Sequence, residues 1–195
     1  MFKTLKKLYN WVLSWADKKS GPTALCFFST TEAIFFPVPP DPLLMALCLG
    51  NRTKALFFAF LCSICSVAGG LIGYYIGYGL WELTKNFFFS YIFSAHTFER
   101  VSILYNNNSF LAIFTAGFTP IPYKVFTVSA GVFKINIFIF FLASILSRSL
   151  RFFTVAILLK IYGEGIKNFI NKYFNLLSII FILLLIGGFI LLKNI

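Results

Sequence analysis

Apolar segments of very different lengths alternate with short polar ones along this chain of 195 residues. Three of them, residues 55–80, 135–160 and 174–192, are long enough to cross a bilayer, because about 20 helical residues span its hydrocarbon core. The other apolar segments are short, and they flank two clusters of prolines. The pattern predicts spanning helices combined with shorter helices that are interrupted within the membrane.

Each proline cluster lies inside an apolar stretch, the first in residues 23–50 and the second in residues 109–131. Because proline ends helices, each stretch predicts two short helices joined by a broken tip. We interpret both as re-entrant hairpins, since irregular backbone at membrane depth must be buried in protein or line a wet cavity. The predicted tip residues are Pro37, Pro39, Pro40, Pro120 and Pro122.

The two hairpins belong to an internal repeat. In each, a charged residue follows the prolines (Asp41 or Lys124), and then come a short apolar run, a glycine (Gly50 or Gly131) and a long spanning segment. The chain is therefore predicted to repeat a unit of one hairpin plus one transmembrane helix.

Charge predicts how the two units are oriented. The chain has 17 Lys and Arg, six Asp and Glu, and a formal net charge of +11. With a cytoplasmic N-terminus, ten basic residues lie on the cytoplasmic side and four on the other, as the positive-inside rule requires. The second hairpin then enters from the opposite side, so the repeat is inverted. Many transporters combine inverted repeats with broken helices at the binding site.

Composition supports an integral membrane protein. Hydrophobic residues make up 59% of the chain and charged residues 12%, which is too little polar surface for a soluble domain of this length. The basic residues form no stripe with base-stacking aromatics, so anionic lipid headgroups explain the positive charge better than nucleic acid does.

The remaining segments complete the predicted organisation. Residues 1–20 have apolar side chains at helical spacing and lysines mostly elsewhere, which predicts an amphipathic helix on the membrane surface. Residues 21–173 form the predicted membrane domain, and residues 174–195 form a C-terminal transmembrane helix. Residues 82–107 are polar and aromatic, and we interpret them as an interfacial segment with a loop. We place His96, the single histidine, in that loop and assign it no role.

Glycines and cysteines occupy the apolar segments. Gly69, Gly73 and Gly77 recur at intervals of four, which predicts a smooth strip for close helix packing, with loosening of the helix as the alternative. The spacing of Cys62 and Cys65 is typical of redox and metal motifs, but no second pair or nearby histidine accompanies it. We therefore interpret all four cysteines as small buried helix residues.

Five ionisable residues lie at predicted membrane depth: Glu32, Asp41, Lys124, Arg148 and Arg151. A bare charge there costs at least about 2.5 kcal/mol, so such groups usually pair and face a cavity. Three bases and two acids leave one positive charge for an anionic headgroup, and protonation of a carboxylate increases that excess. In the structural alternative, the ion pairs only hold the hairpins together, or Asp41 caps its helix.

Several strings together resemble one known family. They are Glu32 with Phe36-Pro37-Val38-Pro39-Pro40-Asp41, Gly73-Tyr74-Tyr75-Ile76-Gly77-Tyr78, and Phe118-x-Pro120-Ile121-Pro122-Tyr123-Lys124 with Ala130-Gly131. This combination resembles the DedA family, whose members share the VTT or SNARE-associated domain. The Pro-Ile-Pro-Tyr-Lys string and the later Arg-x-x-Arg-Phe-Phe are similar to the YqaA-like branch. The resemblance covers most of residues 25–170.

The resemblance implies a multi-pass bacterial inner-membrane protein with two opposed re-entrant hairpins. It further implies translocation of undecaprenyl phosphate or phospholipid with dependence on proton or sodium gradients. Ion coupling would map onto Glu32 and Asp41, and lipid-phosphate binding onto Lys124, Arg148 and Arg151. The chain departs from many relatives because Gly117 replaces a first arginine and Lys124 stands one place beyond a second. Lysine is a point charge rather than a fork of donors, which bears on the lipid bound.

We therefore expect an ion-coupled translocase or scramblase of a phosphorylated lipid, with no cofactor and no metal. The expected partners are membrane lipids with an anionic phosphate headgroup and protons or sodium ions, with homo-oligomers left open. A non-transporting scaffold that supports envelope integrity is the alternative. An enzyme is not expected, because no nucleophile–base pair or metal-ligand cluster stands out.

Overall fold

The computed structural model describes residues 11, 14–15, 18–91, 95–119 and 122–163. Most of the predicted amphipathic helix at residues 1–20 lies outside these residues. The predicted helix at 174–192 and Pro120 lie wholly outside them.

Within the described residues all regular structure is helical, as the sequence predicts. The helices are α1 (Gly21–Glu32), α2 (Asp41–Gly50), α3 (Ala55–Tyr91), α4 (Ala95–Asn107), α5 (Ser109–Phe118), α6 (Tyr123–Val132) and α7 (Ile137–Tyr162), with a short 3-10 helix at Arg52–Lys54 before α3.

Two of these helical segments are long and apolar enough to cross a bilayer. They are Arg52–Trp81, with 30 residues, and Ile137–Tyr162, with 26. Large apolar side chains on their outer surfaces, such as Phe57 and Phe138, are exposed. α3 has 37 residues in all, or about 55 Å at 1.5 Å per residue, so its last turns extend beyond a hydrocarbon core of about 30 Å.

The predicted loop within residues 82–107 is wrong, because α3 continues to Tyr91 and α4 occupies most of the remainder. His96 therefore lies on a helix, where its side chain is exposed. Aromatic packing accounts for the difference. The ring of Phe98 on α4 stacks on that of Trp81 on α3, with centroids 4.6 Å apart, and lies 5.1 Å from that of Phe133.

Both interruptions between the short helices coincide with the proline clusters. α1 ends at Glu32, and α2 begins at Asp41 with Pro40 as its N-cap residue. α5 ends at Phe118, and α6 begins directly after Pro122, whose backbone is extended. The chain therefore contains two helix–break–helix units, α1–α2 and α5–α6.

α1 runs alongside α3 in the same direction. A Cβ atom added at Gly69 would collide with the backbone carbonyl of Thr30, and one added at Gly73 would lie 3.3 Å from the carbonyl oxygen of Ala33. Later residues of α1 thus face later residues of α3, so the two helices are parallel. The absence of side chains on this face of α3 lets the backbone of α1 approach closely.

α6 also runs parallel to α3, slightly further along it. Gly73 lies against the Thr127 side chain, with 2.6 Å between an added Cβ and Oγ1, and Gly77 lies against the Val128 backbone. Asn106, just before α5, donates to the carbonyl oxygen of Phe133, just after α6, so α5 begins where α6 ends and runs opposite to it. α5 therefore approaches the second break in the opposite direction to α1.

In each half, one short helix packs on the long helix of its own half and the other contacts the long helix of the other half, an arrangement called here the exchange of short helices. α1 packs on α3 and α5 packs on α7, each against the long helix of its own half, whereas α6 packs on α3 and α2 contacts α7. The buried apolar residues form two clusters. One joins α1 and α2 to the first half of α3 and the second half of α7, and the other surrounds Tyr74, Tyr123 and Phe140.

The structure pairs two of the four cysteines, so the interpretation of all four as merely buried residues is wrong. A disulfide joins Cys26 on α1 to Cys65 on α3, whose Cα atoms are 5.3 Å apart. Parallel packing of α1 on α3 brings these positions together across 39 residues of sequence, which spacing alone does not reveal. Cys48 and Cys62 are free and buried.

We expect two reactive thiols when the protein is denatured without reductant and treated with a maleimide, and four after reduction. The unreactive pair should be Cys26 and Cys65, identified by peptide mass spectrometry. A Cys26→Ser variant should add a third reactive thiol, at Cys65, whereas Cys48→Ser should reduce the count to one. Four reactive thiols without reductant would contradict the pairing.

Candidate functional site

A cavity of about 200 Å³ lies where the two helix breaks meet between the apolar clusters. All five of the ionisable residues predicted at membrane depth line it, together with three prolines of the breaks. The lining residues are Glu32, Pro37, Pro39, Asp41, Pro122, Lys124, Arg148 and Arg151.

Arg148 on α7 pairs with Glu32 at the end of α1. Its Nη2 atom donates to Glu32 Oε2 at 2.7 Å, and the two side chains are only 3% and 13% exposed. The guanidinium carbon of Arg148 also lies 4.1 Å from the ring centroid of Tyr123 and 5.5 Å from that of Phe152. The cation is therefore held both by a carboxylate and by two aromatic rings.

Arg151, one turn further along α7, connects the two breaks. It donates to both carboxylate oxygens of Asp41, from Nε at 3.1 Å and from Nη2 at 2.8 Å. Its Nη1 atom donates to the carbonyl oxygen of Thr119, directly after α5, at 2.8 Å. The helix α2 has no side-chain cap, so the alternative that Asp41 caps its own helix does not describe this structure.

The second break also supplies donors to the first. Lys124 Nζ donates to the carbonyl oxygen of Phe36 at 3.0 Å, and Thr127 Oγ1 donates to that of Ala33 at 3.2 Å. Both acceptors lie in the segment that follows α1, where the helical hydrogen-bond pattern has ended. The first turns of α6 therefore satisfy backbone groups that the interruption of α1 leaves open.

Lys124 gives the cavity its unbalanced positive charge. Arg148 and Arg151 each have a carboxylate partner, whereas the described residues place only the carbonyl of Phe36 at hydrogen-bond distance from the Lys124 ammonium. A group with two or more anionic oxygens fits this arrangement, because Lys124 and the two guanidinium groups face one volume.

The other predicted site residues do not line the cavity in the part of the chain that the structure describes. Pro40 is fully buried and does not line the cavity, and Pro120 lies outside the described residues. Gly69, Gly73 and Gly77 lie at the contacts of α3 with α1 and α6. Sequence reasoning did not single out Tyr123 as a site residue. Its position directly after the second proline cluster was the available signal.

Comparison with known proteins identifies the family. The sequence profile of the VTT domain matches residues 36–160. This chain belongs to the VTT domain family, also called the DedA family. The match includes four of the five charged cavity residues, and Glu32 lies four positions before it.

Two relatives of this VTT-domain protein extend the similarity. An uncharacterized protein of Haemophilus influenzae is 35% identical over 192 residues, which cover 98% of this chain and 100% of the relative. An uncharacterized protein of Histophilus somni is 30% identical over 153 residues, covering 78% and 80% of the two chains. No solved structure matches the chain. The resemblance to the DedA family is thus confirmed, and the chain is a membrane protein of that family.

Proposed function

We propose that this VTT-domain protein is an ion-coupled translocase or scramblase of a phosphorylated lipid, undecaprenyl phosphate or a phospholipid, in the bacterial inner membrane. The observation that carries the proposal is the charged cavity between two helix breaks, in which Lys124 has no carboxylate partner among the described residues. A phosphate headgroup would supply the missing negative charge. It is a bound and transported group here, and the protein is not an enzyme.

Coupling follows from the pairing of Glu32 with Arg148. When Glu32 takes up a proton, Arg148 loses its counter-ion and the cavity becomes more positive by one charge. The cavity then binds an anionic headgroup more strongly, and loss of the proton weakens that binding again. Asp41 has the same relation to Arg151, with two hydrogen bonds instead of one.

The direction of the short helices supports two re-entrant hairpins that form an inverted repeat. α1 and α5 approach their breaks in opposite directions, and the short helices are exchanged between the halves. In a membrane with a cytoplasmic N-terminus, one hairpin would enter from each side and the tips would meet near the middle of α3. Movement of either hairpin would then open the cavity toward its own side.

A scaffold is the second candidate, and the Arg151 contacts favour it. Arg151 binds Asp41 and the Thr119 carbonyl with three hydrogen bonds, so it ties the two breaks together as a structural clamp would. In that case the cavity charges would stabilise the fold and transport nothing.

Lys124→Gln should weaken binding of a phosphorylated lipid about 10- to 150-fold, because a hydrogen bond to a charged group contributes about 1.5–3 kcal/mol. The measurement is titration of the purified protein in nanodiscs with undecaprenyl phosphate, and separately with phosphatidylglycerol. Lys54→Gln is the matched control, since Lys54 is exposed and does not line the cavity. Wild-type binding and flipping by Lys124→Gln would contradict the transport assignment and favour the scaffold.

A further inference from the structure

Several buried polar atoms next to the cavity have no protein partner. They are Ser66 Oγ on α3, Tyr123 Oη on α6, and Ser144 Oγ and Arg148 Nε on α7. The exposed fraction of each of these residues is 3% or less. All four atoms can donate a hydrogen bond, and the three hydroxyls can also accept one.

The packing of three helices directs these groups toward one region. The Tyr123 hydroxyl points at α3, where it lies 2.7 Å from the position of a Cβ added at Gly70. Ser66 precedes Gly70 by one helical turn and so shares its face of α3. The space for this hydroxyl exists because Gly70 has no side chain.

α7 provides the other two groups from the facing side. The Ser144 hydroxyl is a close neighbour of the Tyr123 hydroxyl, although neither atom has hydrogen-bond geometry with a protein partner. Arg148 follows Ser144 by one turn, and its guanidinium lies over the Tyr123 ring. Of the four residues only Arg148 also lines the charged cavity, so the cluster adjoins the Glu32–Arg148 pair behind the cavity wall.

We propose that Ser66, Tyr123, Ser144 and Arg148 Nε enclose an internal hydration site beside the Glu32–Arg148 pair. Buried polar groups in native proteins are nearly always bonded to protein or to ordered water. A buried water typically makes about three hydrogen bonds, and these groups offer four.

Water suits this site better than an anion does. Arg148 is already neutralised by Glu32, so a chloride ion would add an uncompensated charge to a buried region. The three hydroxyls can accept as well as donate, which matches a molecule that needs both kinds of partner.

Radiolytic hydroxyl-radical labelling tests the site directly, because radicals formed from bound water modify adjacent buried side chains. In nanodisc-embedded protein, Tyr123 should be modified although it is buried. Phe140 is the matched control: it is equally buried and packs beside Tyr74, whose hydroxyl donates to the Ile135 carbonyl at 2.7 Å. Absence of modification at both residues would mean a dry site and would overturn the proposal.

Thermal stability gives an independent test, because a hydrated site and a dry site predict changes of Tm in opposite directions. Ser66→Ala and Ser144→Ala should lower Tm if their hydroxyls bind water, and should raise it if they are buried without a partner. Ser63→Ala is the control, since the Ser63 hydroxyl bonds the Ala59 carbonyl in its own helix. A rise in Tm for both variants would refute hydration. A higher wild-type Tm in sodium chloride than in sodium gluconate would refute water in favour of an anion.

Discussion

Arg148→Met should destabilise the protein by about 3–5 kcal/mol, because it leaves Glu32 as a buried carboxylate without its cation. Glu32 has 13% exposure, and its carboxylate accepts the Arg148 hydrogen bond at 2.7 Å. The double variant Glu32→Gln/Arg148→Met removes both charges and should recover most of the stability. The measurement is thermal unfolding in detergent, with Arg100→Met as a control, since Arg100 is exposed on α4.

The same variants separate transport from scaffolding. In proteoliposomes the double variant should fold but flip no phosphorylated lipid, because both the proton-binding carboxylate and the headgroup-binding guanidinium are gone. Glu32→Gln alone should also abolish flipping, and it should lower the stability as well, because Arg148 is left as a buried cation without its counter-ion. Wild-type flipping by the double variant would exclude these residues from transport. Full recovery of fold and cell phenotype with the charges exchanged, as Glu32→Arg/Arg148→Glu, would favour the scaffold.

Gly77→Ala should separate the second helix–break–helix unit from α3. An added Cβ at this position collides with the Val128 carbonyl, which is backbone and cannot rotate away. We expect the free energy of unfolding to fall by about 1–3 kcal/mol, the usual cost of forcing extra atoms into a packed contact. Lipid flipping should fall as well, because α6 carries Lys124 and Tyr123.

Gly79→Ala on the same helix is the matched control. No atom outside the local chain lies within 4 Å of an added Cβ there, so alanine should be neutral or slightly stabilising through its better helix propensity. Thermal unfolding of the two variants side by side measures the difference. Equal stability of Gly77→Ala and Gly79→Ala would contradict the close contact between α3 and α6.

The sequence predicted well what depends on local chemistry. Proline clusters interrupt helices through the lost amide hydrogen and the ring clash, so both breaks fall where the pattern places them. The cost of bare charge in a membrane requires the five ionisable residues to find partners, although it does not say which ones. The pairing of Arg148 with Glu32 rather than Asp41 depends on how α7 packs against the two breaks, which is a contact between distant parts of the chain.

What the sequence did not predict depends on long-range contacts. The loop expected around His96 is a helix, because Trp81, Phe98 and Phe133 cover one another only when α4 folds back. The disulfide partner of Cys26 depends on the parallel packing of α1 on α3, and the polar groups around Tyr123 come from three different helices. Neither hydrophobic periodicity nor motif spacing contains this information.

The exchange of short helices between the halves has a consequence for biosynthesis. While the first half emerges from the ribosome, the face of α3 around Gly77 and the open carbonyl of Phe36 have no partner, because α6 and Lys124 are synthesised later. The first half is therefore expected to reach its full stability only after the second half has been inserted beside it.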